Sequence, residues 1–282
     1  MIVMLQGGLG NQMFQYAFGR AVARARGEEL LFEKRGDMDA PGSRMAYSLG
    51  AFETDVTFAS KDNCVFQITG PRYEEPIFAY DPNVYNQPKG VRFIGYWQTE
   101  KYFEIGHVRN EFSLRAPVSA QTRRVADEIN AAATSVAIHV RRTDYLVPMN
   151  AFMGLMPFSY YNEAMDYIRA RHADAKFFIF SDDPEWCRQN FKDCRIVDHN
   201  KAGTSGNGPG QEHEDLLLMS LCRHAIIANS SFGWWGAWLG DFSGKIVIAP
   251  YRWFSGTLGG RWTPEASDIV PDRWIKLCPH KI

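Results

Sequence analysis

The feature that most constrains the fold is the regular alternation in the second half of the chain. Apolar runs at Val136 to Val140, Phe177 to Phe180, Ala225 to Ala228 and Ile246 to Ala249 are bounded by polar or turn residues and are too short for helices. Helical patterns lie between them, at Tyr160 to Arg171 behind a Ser159 cap, Pro184 to Phe191, Glu212 to Leu221 and Phe232 to Leu239. Strands alternating with helices in this way predict a parallel sheet with right-handed crossovers, covered on both faces, whose ligands sit outside the carboxyl ends of the strands. The first three of these strands each end in a polar cluster. These clusters are Arg141, Arg142 and Asp144, then Ser181, Asp182 and Asp183, then Asn229, Ser230 and Ser231. All three should face one crevice.

Each cluster has a chemistry and a plainer alternative. A guanidinium offers planar, permanently charged donors that match phosphate oxygens in a bidentate fork, although an arginine pair at a strand end also often serves local carboxylates. Asp183 precedes Pro184 and reads as an N-cap, while Asp182 could accept from the N–H edge of guanine, or the acidic pair could hold a divalent cation. Asn229, Ser230, Ser231 and Phe232 mark a strand turning into a helix, where hydroxyls and backbone N–H groups suit a second phosphate contact. Trp234, Trp235 and Trp238 read as core more readily than as a sugar platform.

The N-terminus repeats the pattern on a smaller scale. Ile2 to Leu5 reads as a strand, Gly7-Gly8-Leu9-Gly10 as a turn, and Met13, Phe14, Ala17, Phe18, Ala21 and Val22 fall at helical spacing, followed by a second strand at Leu30 to Phe32. Gly8, Gly10 and Glu33 invite a dinucleotide-binding reading, but Met13 stands where the third glycine belongs, so a tight strand-to-helix turn explains the glycines as well. Prolines break the pattern between residues 41 and 88, Val91 to Trp97 reads as a strand and Thr122 to Ala133 as a helix. A chain of 282 residues suggests two domains, with the junction at about residues 113 to 122, giving 1–120 and 121–282. The stretch from Asn200 to Gly210 is too rich in glycine and asparagine for regular structure and reads as a lid or a surface loop.

Charge and cysteines bound the function. With 31 basic and 32 acidic residues the formal net charge is −1, so no overall field draws the chain to nucleic acid or an anionic membrane, and an anion site must be local. Five scattered cysteines without a C-x-x-C pair fit a reducing compartment better than a disulfide framework or a zinc ribbon. No signal-peptide pattern and no uncharged run of about 20 apolar residues is visible, which suggests a cytoplasmic protein without a spanning helix and leaves peripheral contact with the inner membrane face open.

Four segments together resemble the α-1,2-fucosyltransferases of glycosyltransferase family 11. They are Gly7-Gly8-Leu9-Gly10-Asn11-Gln12-Met13-Phe14-Gln15-Tyr16, His139-Val140-Arg141-Arg142-Thr143-Asp144-Tyr145, Phe180-Ser181-Asp182-Asp183-Pro184 and Ala228-Asn229-Ser230-Ser231-Phe232-Gly233-Trp234-Trp235. The family usually has glycine where Thr143 stands. The resemblance spans almost the whole chain and implies an α/β protein of two Rossmann-like halves facing across a cleft (GT-B architecture), with the donor on the second half and the acceptor on the first. It implies GDP-β-L-fucose as donor, a galactoside-terminated glycan as acceptor, inversion at the anomeric carbon, and no metal or other cofactor. Arg141 would then grip the diphosphate, with His139, Asp144 or Asp182 contacting guanine or ordering the site, and Arg142 structural. Asn11 and Gln12 would lie beside the reacting sugar, with Gly8 and Gly10 in the same turn. Two rivals are a nicotinamide-dependent oxidoreductase built on the N-terminal glycine turn and a non-catalytic sugar-binding module built on the tryptophans.

Overall fold

The computed structural model describes residues 1–40, 43, 45–60, 70–200, 210–240, 242–255, 257–258, 261–262 and 268–278. These divide into two units, the first holding Met1–Pro117 with Gly210, Asp268 and Ile269, the second holding most of the remainder from Val118 onward. The expected lid falls largely on 201–209, outside the described residues.

In the first unit, β1 (Ile2–Leu5) runs into α1 (Leu9–Arg26) and β2 (Leu31–Lys34), and β3 (Arg72–Glu74) and β4 (Arg92–Ile94) complete a parallel sheet of order β2-β1-β4-β3. Helix α1 buries Met13, Phe14, Ala17, Phe18 and Val22. It stops at Gly27, whose left-handed φ of 61° lets its N–H reach the Ala23 and Arg24 carbonyls. The expected strand at Val91 to Trp97 ends at Ile94, because Gly95 turns the chain and Trp97 sits at a φ of 55°. The chain leaves this unit through α2 (Ile105–Glu111).

The second unit begins with α3 (Ala120–Ala131) and continues as β5 (Ser135–Val140), α4 (Phe158–Arg169), β6 (Lys176–Ser181), α5 (Pro184–Asn190), β7 (Arg195–Val197), α6 (Glu212–Leu221), β8 (His224–Ile227), α7 (Ser231–Leu239) and β9 (Val247–Pro250). A small hairpin, β10 (Thr257–Leu258) with β11 (Arg261–Trp262), precedes β12 (Ile275–Leu277). The six-stranded sheet is parallel, in the order β12-β9-β8-β5-β6-β7. Every residue of β5 is buried, as a central strand covered on both faces requires. Helix α4 starts at Phe158 without a side-chain cap, and the expected Ser159 cap instead leaves its hydroxyl buried without a partner among the described residues.

Both sheets are doubly wound, so each unit is Rossmann-like. In the first unit the chain passes from β1 outward to β2, crosses to the opposite edge as β3 and comes back inward as β4, so the winding changes sides between β1 and β4. In the second it passes from β5 through β6 to β7 and then to β8 on the other side, so the reversal lies between β5 and β8. Ligands of such sheets bind at the carboxyl side of the reversal, where diverging loops leave a crevice. Among the described residues no helix is long and apolar enough to cross a membrane.

Candidate functional site

The β5/β8 reversal of the second unit collects most of the residues singled out from sequence. His139 lies within β5, Arg141 to Asp144 follow it, and Asn229 to Phe232 follow β8 as α7 begins. Arg141 forms a bidentate pair with Asp144, Nε to Oδ1 at 2.7 Å and Nη2 to Oδ2 at 2.8 Å, with Asp182 Oδ2 3.4 Å from Nε. Burial opposes the charge on Arg141, but the bond to Asp144 and the charges of both aspartates more than offset it and hold the guanidinium above its ordinary pKa. The Arg141 side chain is 31% exposed. A fork whose Nε edge is fixed presents its Nη1 side in one orientation, as recognition of a planar anion demands.

Arg142 has a different environment. It pairs with Asp183 at 3.1 Å, lies 3.9 Å over the Trp186 ring and is 14% exposed. Asp183 also caps α5, accepting from Trp186 N at 3.1 Å, and takes its own place from Ser181 Oγ at 3.0 Å. Asp182 holds the turn after β5: Oδ1 accepts from Arg142 N at 2.9 Å, and Oδ2 from Thr143 N at 3.1 Å and Thr143 Oγ1 at 2.5 Å. The cluster therefore sets two guanidiniums against three carboxylates and is an organised ionic network, with Arg141 its more exposed cation.

His139 is 4% exposed, its Nδ1 has no partner among the described residues, and burial followed by the Arg141 charge pushes its pKa down to about 3. It is a neutral imidazole at pH 7. Gly233 allows this, since a Cβ there would stand 2.6 Å from His139 Nδ1. Phe232 packs on the same ring at 5.7 Å between centroids.

Asn229 is 1% exposed, and its amide nitrogen donates to the carbonyls of Met153, Gly154 (3.0 Å) and Trp253 (2.8 Å). Its backbone carbonyl accepts from Tyr145 OH at 2.8 Å, while its side-chain Oδ1 is buried without a partner among the described residues. The side chain thus ties two loops to the start of α7. Ser230 occupies the cap position without a side-chain cap bond, and its N–H donates to Ala228 O at 2.8 Å. An α-helix leaves the amides of its first turn without intrahelical partners, and here that turn opens at the β5/β8 reversal.

Asn11, Gln12, Gly8 and Gly10 lie in the first unit, in the turn after β1 and the start of α1. Gln12 is fully buried; its amide donates to Gly7 O and Ala46 O, each at 2.9 Å, and its carbonyl accepts from Ser48 N at 2.9 Å. Asn11 Oδ1 accepts from Gln98 Nε2 at 2.7 Å. Gly7 has a φ of 75°, and a Cβ there would lie 2.4 Å from Asn11 Nδ2. Gly8 O accepts from Asn11 N and Gln12 N at 3.0 and 3.1 Å. Glu33, the ribose ligand of a dinucleotide reading, is paired with Arg92 at 2.8 Å. Trp234 and Trp235 are fully buried and Trp238 is 3% exposed, so they are core and no sugar platform. Among the described residues no three His, Cys, Asp or Glu side chains converge as a metal site.

Sequence reasoning missed Thr143, Tyr145 and Trp186, which hold Asp182, Asn229 and Arg142, and Glu75 in the first unit. Glu75 follows β3 and accepts from Tyr96 N at 2.7 Å and Trp97 N at 3.0 Å, and burial pushes its carboxyl up to about 7 against those bonds. The aromatic neighbours and hydroxyls of the motifs were visible signals. Glu75 lay in the irregular stretch and gave none.

Comparison with known proteins fixes the relationship. The sequence model described as glycosyl transferase family 11 matches residues 1–259. An α-1,2-colitosyltransferase of Escherichia coli is 32% identical over 98% of this chain and 98% of its own length. The O-antigen biosynthesis glycosyltransferase WbnK of Escherichia coli is 27% identical over 97% and 99%. Galactoside α-(1,2)-fucosyltransferase 1 of Ateles belzebuth is 29% identical over 96% of this chain and 73% of its own. Among solved structures, the α-1,6-fucosyltransferase NodZ co-crystallised with GDP is similar in fold, with a TM-score of 0.51 at 17% identity, over 83% of this chain and 91% of that one.

Proposed function

The chain belongs to glycosyl transferase family 11 and is a glycosyltransferase, and from that premise we propose that it moves L-fucose from GDP-β-L-fucose, with inversion, to the 2-hydroxyl of a terminal β-galactoside during glycan or surface-polysaccharide synthesis. The observation that carries this reading is Arg141, held by Asp144 and placed at the β5/β8 reversal beside the first turn of α7. In the proposed reaction the acceptor hydroxyl oxygen attacks the anomeric carbon opposite the diphosphate, forming the new C–O bond as the bond from that carbon to the phosphate oxygen breaks and the hydroxyl proton is released to solvent. Negative charge grows on the leaving GDP. Arg141 and the α7 amides meet it, and donors aimed in advance at such charge are worth roughly 3 to 4 kcal/mol each. In this reading no metal is required, because the guanidinium fork takes the place a divalent cation would have on the diphosphate.

A second donor has a specific observation in its favour. The colitosyltransferase shares 32% identity over nearly the full length, and colitose is fucose without its 3-hydroxyl. Donor choice between the two is a matter of one hydroxyl contact, of the kind that a polar pocket reads strongly.

The test is incubation with GDP-fucose and with GDP-colitose in parallel, against lactose and a panel of β-galactosides, in buffer containing EDTA, with linkage analysis of the product. An α-1,2-linked fucosyl product supports the first reading. A colitosyl product from the second donor alone supports the alternative, and transfer that requires GDP-mannose or an added divalent cation overturns both.

A further inference from the structure

The carboxyl edge of the first unit's sheet carries a second constellation at its own reversal, and its chemistry differs from that of the nucleotide cluster. After β4 the chain makes the turn Gly95 to Gln98. Gly95 O accepts from Gln6 Nε2 at 3.2 Å and Gln15 Nε2 at 3.0 Å, and Gln98 donates to Asn11 at 2.7 Å across the β1/β4 reversal. On its other side the same turn is built around Glu75. A Cβ at Gly95 would lie 2.5 Å from Glu75 Cβ, and both carboxylate oxygens accept an amide N–H. Each of those oxygens keeps a second lone pair for a hydroxyl. Beside the carboxylate, Phe78 and Tyr96 stack with centroids 6.1 Å apart and planes 19° from parallel, and both rings are only half-buried.

A half-exposed aromatic stack next to a carboxylate and a side-chain amide pair fits a neutral polyhydroxylated ring, and Arg35 meets this network at Gln6 Oε1, 3.3 Å away. The C–H face of a galactose ring lies flat on an aromatic plane while its hydroxyls meet acceptors at the rim. We infer that Glu75, Phe78, Tyr96, Asn11 and Gln98 form the subsite for the acceptor's terminal hexose, with the aromatic pair as platform and Glu75 as the group that accepts a hydroxyl. This rests on reading the chain as a galactoside-directed transferase. Glu75 has a structural duty as well, since its two amide bonds fix the turn that carries Tyr96.

Saturation-transfer NMR with methyl β-D-galactoside and lactose tests this without any donor, and transfer kinetics test it in turnover. Tyr96→Ala and Phe78→Ala, both at half-exposed positions, are compared with wild type for lactose KM and for GDP affinity by calorimetry. Loss of one stacking partner should raise the lactose KM by about tenfold and weaken the saturation transfer to the ring C–H protons, with GDP Kd within about twofold of wild type. Glu75→Gln should do the same where its melting curve shows it folded; otherwise the aromatic variants decide. Unchanged galactoside binding in both aromatic variants, or GDP affinity falling in step with lactose, overturns the subsite. A wild type that binds galactosides but transfers no sugar from either donor overturns the proposed reaction and leaves the subsite standing.

Discussion

The two units use the same winding and present opposite chemistry at its reversal. In the second unit the crevice between β5 and β8 is ionic: Arg141 and Arg142 are interleaved with Asp144, Asp182 and Asp183, and every carboxylate either pairs with a guanidinium or holds a turn. In the first, the crevice between β1 and β4 is built mainly from amides, with Gln6, Gln12, Gln15, Asn11 and Gln98 bonded to backbone or to one another and Arg35 donating to Gln6 Oε1 at 3.3 Å. A charged network preorganises a cation for an anion. An amide network fixes backbone turns without creating a field and leaves room for a neutral ligand. One fold thus supplies two differently tuned crevices, and the difference lies in the strand-end residues rather than in the sheets.

Four perturbations break or sharpen that contrast. Replacing the fork at Arg141 with a point charge, Arg141→Lys, should lower kcat/KM for the nucleotide-sugar by about a hundredfold or more while leaving acceptor KM nearly unchanged. Near-normal turnover in this variant would remove Arg141 from the leaving-group role. In the amide crevice, Gln12→Ala deletes three side-chain hydrogen bonds, one buried and two part-buried, so urea unfolding should show a loss of roughly 2 to 3 kcal/mol with GDP affinity intact. Asp144→Asn keeps the shape but loses the bidentate ion pair, and about a tenfold fall in kcat/KM is expected; full activity would show that Arg141 needs no orienting partner.

The smallest effect is a pH dependence of stability. His139 and His224 have pKa values pushed down to about 3 and about 4 by burial. For a depressed group the unfolded chain binds the proton first, so the stability these histidines contribute is full above about pH 6.5 and is lost as pH falls toward the folded values, while the raised carboxyls of Glu75 and Asp215, at about 7, act in the opposite direction. Each histidine should contribute a slope of up to about 1.4 kcal/mol per pH unit in that window. His139→Phe should reduce the slope measured between pH 7 and 5, and an unchanged slope would show that His139 is not neutral in the fold.

Much of this was legible in the sequence, for identifiable reasons. The central strands β5, β6, β8 and β9 are continuous apolar runs because both faces are covered, and such runs cannot be mistaken for loop. Edge strands are only half-covered, so Arg195–Val197, Arg72–Glu74 and Ile275–Leu277, three residues each, gave no pattern. The clustering of Arg141, Asp182 and Asn229 followed from the strand-end rule. The partners of Asn229 did not, because its side-chain bonds to Met153, Gly154 and Trp253 join segments distant in sequence. Glu75 was hidden for the same reason, since its partners Tyr96 and Trp97 lie across a proline-rich stretch without periodicity.

The central claim is that the ionic reversal of the second unit holds the nucleotide through Arg141. Calorimetric titration of GDP into wild type and Arg141→Lys, in buffer containing EDTA, tests it most directly. Saturable binding to wild type, weakened about tenfold or more in the variant, is the expected result. Equal affinity in the two proteins, or binding to wild type only when a divalent cation is supplied, would contradict it.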